Sequence, residues 1–188
     1  MKKIGIVLIV IIAIVAIIAF TFIGNYNKMV TLQEKIDNAT GNLENQLQRR
    51  MDLIPNLVNT VKGFTSHENE IIEKVTTARE KLAGANSIEE KSEADAELTS
   101  SLKSLMVIVE NYPDLKSSDN FIQLSDELAG TENRIAVARK EYNDAVTEYN
   151  TTIKKFPNNI ISGMFGFEKA TYFEAKEGAD VVPEVNFN

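Results

Sequence analysis

The sequence contains no cysteine, no tryptophan and only one histidine, and it has few prolines and glycines, four and nine among 188 residues. The absence of cysteine excludes a disulfide framework, a thiol nucleophile and a thiolate metal site. A single histidine excludes, within one chain, sites that need two imidazoles, such as HExxH zinc proteases and paired Glu-x-x-His di-iron bundles. The net charge of −7 argues against a sequence-independent nucleic-acid binder, because such proteins need clustered lysines and arginines.

Residues 4–23 form a run of 20 uncharged residues in which Thr21 is the only polar side chain. A helix of this length spans about 30 Å, the thickness of a hydrocarbon core. A cleaved signal peptide is the alternative, with Lys2 and Lys3 as its basic start. However, its apolar part is usually only about 7–15 residues long, and no A-x-A-like cleavage site follows the run. The sequence therefore predicts a retained anchor whose partner is the lipid bilayer.

The lysines at the two ends of this run indicate its orientation. Lys2 and Lys3 flank the amino end, and Lys28 and Lys35 follow the other end, so the positive-inside rule favours a cytoplasmic amino terminus by a small margin. We expect a single-pass protein of the cell membrane with an extracytoplasmic main domain. Residues 24–188 carry 18 basic and 27 acidic side chains, a net charge of −9. Anionic headgroups repel such a domain, so the anchor should hold it at the membrane.

Two long stretches show apolar residues at helical spacing. Residues 118–156 have a heptad repeat with large residues at one position and mostly small ones at the other, which predicts a long helix in a left-handed, coiled-coil-like packing. Residues 26–64 show a similar stripe, and Pro55 within it predicts a kink or a break. The large heptad residues are Phe121, Leu128, Ile135, Tyr142, Tyr149 and Phe156.

Two shorter helices are predicted between the long ones. Thr65 and Glu68 fit a capping box at the start of the first, and Ser87 and Glu90 fit a second box. The fold class is therefore all-α, with an amino-terminal transmembrane helix followed by an antiparallel, up-down-up-down four-helix bundle whose first and last helices are long. We assign residues 1–25 to the anchor, 26–156 to the bundle, and 157–188 to a tail partly packed on the bundle end.

The antiparallel pairing makes two local predictions. Gly130 should lie level with Asp52, against a first helix pushed close by the proline kink, so that Gly130→Leu would overpack. The apolar segment 156–167 should lie at the end of the bundle nearest the membrane. There it either closes the open bundle end or contacts the bilayer interface beside the anchor.

Polar residues among apolar neighbours mark the candidate site. The pairing places Arg49 and Asp52 near Glu132 and Arg134, either as an ion-pair network that fixes the register or as a polar groove that binds a partner helix or peptide. The candidate partner-binding residues are Asp52, Asn56, Glu132, Arg134, Phe165 and Phe167.

Several motifs in order give the chain a specific resemblance. They are Arg49-Arg-Met-Asp-Leu-Ile-Pro-Asn-Leu-Val-Asn-Thr-Val-Lys-Gly-Phe64, Gly130-Thr-Glu-Asn-Arg-Ile-Ala-Val-Ala-Arg139, the Tyr-Asn pairs at 142–143 and 149–150, Phe156-Pro-Asn-Asn159 and Phe165-Gly-Phe167. With these motifs the chain resembles the LemA family from residue 26 to about residue 173. The resemblance implies a bacterial single-pass membrane protein with a helical bundle, no established enzyme activity and no agreed catalytic residues.

Two functions follow from these patterns. The first is a scaffold or adaptor for envelope or membrane protein complexes, without catalytic activity of its own. The alternative is a carboxylate-based hydrolase or a small-ligand-binding protein that uses a cleft of the bundle, which needs converging carboxylates with perturbed pKa values. His67 precedes Glu68, but Ile71 stands where HExxH needs its second histidine. The sequence thus indicates no catalytic, cofactor-binding or metal-binding residues, no nucleic-acid partner and no identifiable small-molecule substrate.

Overall fold

The computed structural model describes residues 2–65 and 68–174, and all of their regular secondary structure is helical. This confirms the all-α prediction. The helices are α1 (Lys2–Lys62), α2 (Asn69–Gly84), α3 (Ile88–Val109), α4 (Pro113–Lys116), α5 (Asp119–Lys154) and α6 (Asn158–Phe165).

Helix α1 contains the apolar run at its amino end and continues without interruption into the polar part of the chain. Twelve large apolar side chains between Ile6 and Ile23 are more than half exposed, as expected of a surface whose natural solvent is lipid. Among the described residues α1 is the one helix that is long and apolar enough to cross a membrane by length and composition.

The described chain divides into two compact units, and both long helices contribute to each of them. The first unit consists of residues 2–39 and 144–170, and the second of residues 40–143 and 171–174. The core of the first unit includes Met29, Leu32, Ile36, Tyr149, Ile153 and Ile161. The core of the second includes Leu43, Leu57, Val75, Leu98, Leu105 and Ile135. The domain boundaries drawn from the sequence remain predictions.

Helix α1 does not break at Pro55. Proline has no N–H, so the carbonyl of Met51, four residues earlier, loses its partner within the helix. Arg79 of α2 supplies the missing donor, because its Nε donates to Met51 O at 2.8 Å. A side chain of the neighbouring helix thus compensates for the proline.

The two predicted capping boxes have different outcomes. The Ser87 and Glu90 box is present and begins α3. The Thr65 and Glu68 box is wrong, since α2 begins without a side-chain cap. The Thr65 hydroxyl donates instead to a carbonyl at the end of α1, and Glu68 accepts a hydrogen bond from the Tyr112 hydroxyl.

The heptad pattern of α5 is correct up to Tyr149 and fails at its last member. The five earlier large residues are buried, but α5 ends at Lys154 and Phe156 is 80% exposed. The chain turns at Pro157 into α6, which removes Phe156 from the helical repeat.

Gly130 makes no close contact with α1, so the expected overpacking is wrong. A Cβ atom added there meets only the Arg134 side chain of the same helix, at 3.9 Å. Gly130 is half-buried, and the space beside it accepts a Cβ atom without a close contact.

Candidate functional site

Four charged side chains from α1, α3 and α5 meet inside the second unit. Arg50 donates from Nη1 to Asp95 Oδ1 at 2.7 Å, and these two residues are only 3% and 2% exposed. Glu132 Oε2 lies 3.0 Å from the same Nη1, in a geometry that makes no hydrogen bond. Arg139 Nη2 lies 3.6 Å from Asp95 Oδ2. Arg50 and Asp95 are the buried pair, while the side chains of Glu132 and Arg139 are 41 and 27% exposed. We call these four residues, after that pair, the buried charge cluster.

The electrostatics of the cluster centre on Asp95. Burial raises the pKa of the Asp95 carboxyl; Arg50 opposes this shift, Glu132 adds to it and Arg139 opposes it. The largest effect is burial, because the charged carboxylate loses its hydration inside the protein. Arg50 and Arg139 therefore stabilise the charged form of Asp95 against the effect of burial.

The cluster forms one wall of a cleft with a volume of about 310 Å³. The charged and aromatic residues that line this cleft are Asp95, Lys103, Glu132, Arg139, Phe173 and Glu174. Arg139 lies over the Phe173 ring, 5.4 Å from its centroid, and its buried Nε finds no acceptor within the described chain. The cleft thus presents both signs of charge beside one aromatic ring.

Residues 171–174, which have no regular secondary structure, pack against this unit through hydrogen bonds from its side chains. Asn143 of α5 accepts from the Phe173 backbone N–H at 2.9 Å and donates to the Phe173 carbonyl at 3.0 Å. Tyr142 donates to the carbonyl of Thr171 at 2.7 Å, and the Ser92 hydroxyl donates to that of Glu174. These bonds bury Phe173, which is 1% exposed, and hold its ring beneath Arg139.

In the first unit, Asn150 makes the same pair of hydrogen bonds to one backbone residue. Its side chain accepts from the Ala170 N–H at 2.9 Å and donates to the Ala170 carbonyl at 2.8 Å. Each asparagine thus binds both the N–H and the carbonyl of one backbone residue. These bonds give a role to the asparagine of each Tyr-Asn pair.

The predicted candidate residues of the second unit do not all meet. Glu132 belongs to the buried charge cluster, whereas Asp52, Asn56 and Arg134 are exposed on α1 and α5. Asp52 accepts a hydrogen bond from Gln48 at 2.7 Å.

The arginine near Glu132 is Arg50, and the predicted Arg49 is exposed. Position 50 lies between Leu47 and Ile54 at three- and four-residue steps, so the apolar spacing of α1 marks it as a core position. Sequence reasoning missed Asp95 as well. The same kind of signal was present, because Asp95 precedes Leu98 by three residues on the apolar stripe of α3.

The other two candidates, Phe165 and Phe167, lie in the first unit. Their ring centroids are 4.9 and 5.5 Å from that of Tyr26, both in edge-to-face orientation. The apolar segment 156–167 contains helix α6.

Potential metal ligands do not cluster in the described residues. No group of three or more His, Cys, Asp or Glu side chains in residues 2–65 and 68–174 is arranged to hold a metal ion. His67 and the carboxy-terminal residues after 174 lie outside the described chain.

Comparison with known proteins identifies the family. The chain is 29% identical over 186 residues to Magnetosome protein MamQ 2 of Paramagnetospirillum magneticum, covering 85% of this chain and 68% of that protein. It is 28% identical over 162 residues to Protein LemA of Metamycoplasma hominis, covering 84% of this chain and 73% of that protein. The family model described as the LemA family matches residues 39–187. Because this match spans more than half of the chain, the protein belongs to the LemA family.

Proposed function

We propose that this protein is a single-pass membrane scaffold or adaptor, with no catalytic activity of its own, whose helical domain binds other membrane or envelope proteins. The observation that carries the proposal is the continuity of α1. This helix joins the exposed apolar run directly to the charged helical part of the chain without an intervening linker. A continuous helix limits the movement of the domain that it anchors, which suits a protein that positions partners.

The proposed domain is an antiparallel up-down-up-down bundle. In the second unit, Asn42 bonds to Glu141 at 3.1 Å, and Arg50 lies near Glu132. Residue numbers therefore rise along α1 as they fall along α5. In the first unit, Lys35 of α1 pairs with Glu148 of α5 at 2.7 Å. These pairs support the antiparallel arrangement.

The relatives support a role at a membrane. Proteins named as magnetosome proteins are similar to this chain over more than two thirds of their length. The proposed recognition surface is the exposed polar face of α1 and α5, with Asp52, Asn56 and Arg134. Exposed polar groups of this kind give specificity and association rate more than affinity.

Site-specific crosslinking in native membranes tests this proposal. A photoreactive amino acid at Asn56 or at Arg134 should capture the same membrane protein, while one at the exposed Val107 of α3 serves as the matched control. Arg134→Glu should abolish the Asn56 crosslink if the surface acts through charge. Recovery of no common partner from the two positions, or an equal yield from Val107, contradicts the adaptor function.

A second candidate function has a specific observation in its favour. The cleft beside Asp95 provides the converging carboxylates and the raised pKa that a carboxylate-based hydrolase or a small-ligand-binding protein needs. The ion pair between Arg50 and Asp95 favours ligand binding over proton transfer, since Arg50 occupies the carboxylate. Thermal unfolding of the full chain with small anions and zwitterions tests this function. A ligand that stabilises the native protein but not the Arg139→Gln variant would support it.

A further inference from the structure

We infer that the outward face of α6, together with Phe156, is a second membrane contact that inserts into the interface of an anionic bilayer beside the anchor. This inference rests on the proposed single-pass topology and adds a lipid-binding surface to it. It concerns the first unit alone.

The position of Tyr26 fixes the depth of this surface. Tyr26 follows Ile23, the last residue of the apolar run, by three residues, which is about 4.5 Å along a helix. If residues 4–23 fill the hydrocarbon core, Tyr26 lies at the level of the headgroups, where tyrosines of membrane proteins are enriched. Phe165 and Phe167 contact its ring, so the end of α6 lies at the same depth.

Helix α6 has one face packed on the protein and one face without a protein partner in the described chain. Asn158 and Ser162 are buried and donate hydrogen bonds to carbonyls of the last α5 turns, at 3.1 and 3.2 Å. On the other side, Ile160 and Met164 are 47 and 66% exposed. Phe165 lies at the border of this face, because its ring contacts Tyr26 while 57% of the residue stays exposed. Ile160 and Met164 are four residues apart and therefore share a face. The inner face closes the unit as a lid does, and the outer face remains free to bind.

The residues that flank this surface are basic, in contrast to the acidic chain. The segment 154–169 contains three lysines and one glutamate, a net charge of +2, while the whole chain carries −7. Lys154 and Lys155 are exposed directly before Phe156, and Lys169 is exposed after α6. Basic residues around an apolar face are typical of segments that lie in an anionic membrane surface. The basic residues therefore favour an anionic lipid surface, and not an apolar protein groove, as the partner of this face.

The experiment uses the absence of tryptophan from the chain. Full-length Met164→Trp and Phe156→Trp variants are placed one copy per nanodisc, in an equal mixture of phosphatidylcholine and phosphatidylglycerol. Lipids brominated in the upper acyl chain then quench a tryptophan at the interface, and lipids brominated near the end of the acyl chain quench a tryptophan at the bilayer centre, such as one at position 12. Val107→Trp, at a site of similar exposure to Met164, is the aqueous control, and Ile12→Trp reports on the anchor. Circular dichroism verifies that each variant is folded.

We expect blue-shifted emission and loss of emission with brominated lipid for Met164→Trp and Phe156→Trp, and neither effect for Val107→Trp. Adding Lys154→Gln and Lys155→Gln should weaken the quenching in the anionic mixture. If Ile12→Trp is quenched while Met164→Trp responds only to aqueous iodide, the lipid contact is wrong and the anchor stands. If Ile12→Trp is not quenched either, the single-pass topology itself is wrong. Shielding of Met164→Trp only in discs with two copies would overturn the inference in favour of self-association.

Discussion

Arg50 lies in the second unit with 3% of its surface exposed, and Asp95 is its nearest counter-charge. Removing one member of a buried ion pair leaves the other charge uncompensated and costs about 3–5 kcal/mol, whereas replacing both with apolar residues is often neutral. We therefore expect Arg50→Met to be strongly destabilising, and Arg50→Met/Asp95→Leu to be more stable than that single variant. Urea unfolding of the full chain in detergent, followed by circular dichroism, measures both. A double variant less stable than Arg50→Met contradicts this reasoning.

The pH dependence of the same variant provides an independent test. Arg50 lowers the Asp95 pKa against the effect of burial, so Arg50→Met should raise that pKa further. A carboxyl whose pKa is raised by folding loses stability as the pH rises from its unfolded value, 3.8, through its folded value. The destabilisation by Arg50→Met should therefore be smaller near pH 4 than at pH 7. The variant that also carries Asp95→Leu should lack this recovery, and a pH-independent difference between Arg50→Met and the native protein would exclude a charged Asp95 as its cause.

A substitution at Gly130 is expected to stabilise the protein, in contrast to Arg50→Met. An added Cβ meets only the flexible Arg134 side chain, and Gly in a helix interior is less favourable than Ala by about 0.8–1.0 kcal/mol. Gly130→Ala should therefore raise the free energy of unfolding by a similar amount. Gly41→Ala, at another helical glycine with open space around it, is the control and should behave alike. A loss of stability at Gly130 alone would reveal a close contact there.

The difference between Arg49 and Arg50 shows what the sequence can resolve at this scale. Residue type alone does not say which of two adjacent arginines is buried, and the position on the apolar stripe does. The charged partner on α3 was not predictable from the chemistry of either arginine. It depends on how three helices pack, which the one-dimensional pattern does not contain.

At the scale of elements, α1 continues through Pro55 because Arg79 of α2 supplies the hydrogen-bond donor that the proline lacks. Without Arg79 the Met51 carbonyl loses its donor, and an unsatisfied buried acceptor costs about 1–3 kcal/mol. We expect Arg79→Met to destabilise by that amount, and Pro55→Ala to reduce the effect because the new N–H bonds to Met51. A double-mutant cycle by urea unfolding measures this coupling. Equal effects of Arg79→Met in both backgrounds would show that the arginine acts elsewhere.

The helices themselves were largely predictable, and the irregular segments were not. Heptads located α5 to within a few residues, and the box at Ser87 located the start of α3. The two hydrogen bonds between Asn143 and the Phe173 backbone were not predicted. A non-helical segment that is held by side chains has no periodic pattern in the sequence. Thr65 and Glu68 had the right spacing for a cap but found other partners, since tertiary contacts compete with local ones for the same polar groups.

At the scale of the whole molecule, the chain combines segments suited to two solvents. The apolar residues of 4–23 are exposed because lipid, not protein, is expected to cover them, whereas residues 24–188 carry all the acidic side chains. The average composition does not show this division, whereas the order of the residues along the chain does. The buried charge cluster of the second unit is not apparent from this division, because it depends on how α1, α3 and α5 pack.

The expected orientation of the chain in the membrane depends on a few lysines, so a few substitutions should change it. We expect Val107→Cys, the sole cysteine in such a variant, to react in intact cells with a maleimide that does not cross membranes. Lys2→Gln/Lys3→Gln removes the basic residues before the apolar run while Lys28 and Lys35 remain after it. Because the positive-inside rule depends on this difference, the combined variant should give a mixed orientation and less labelling at equal expression. If Val107→Cys is labelled only after the membrane is permeabilised, the domain is cytoplasmic and its partners are to be sought on that side.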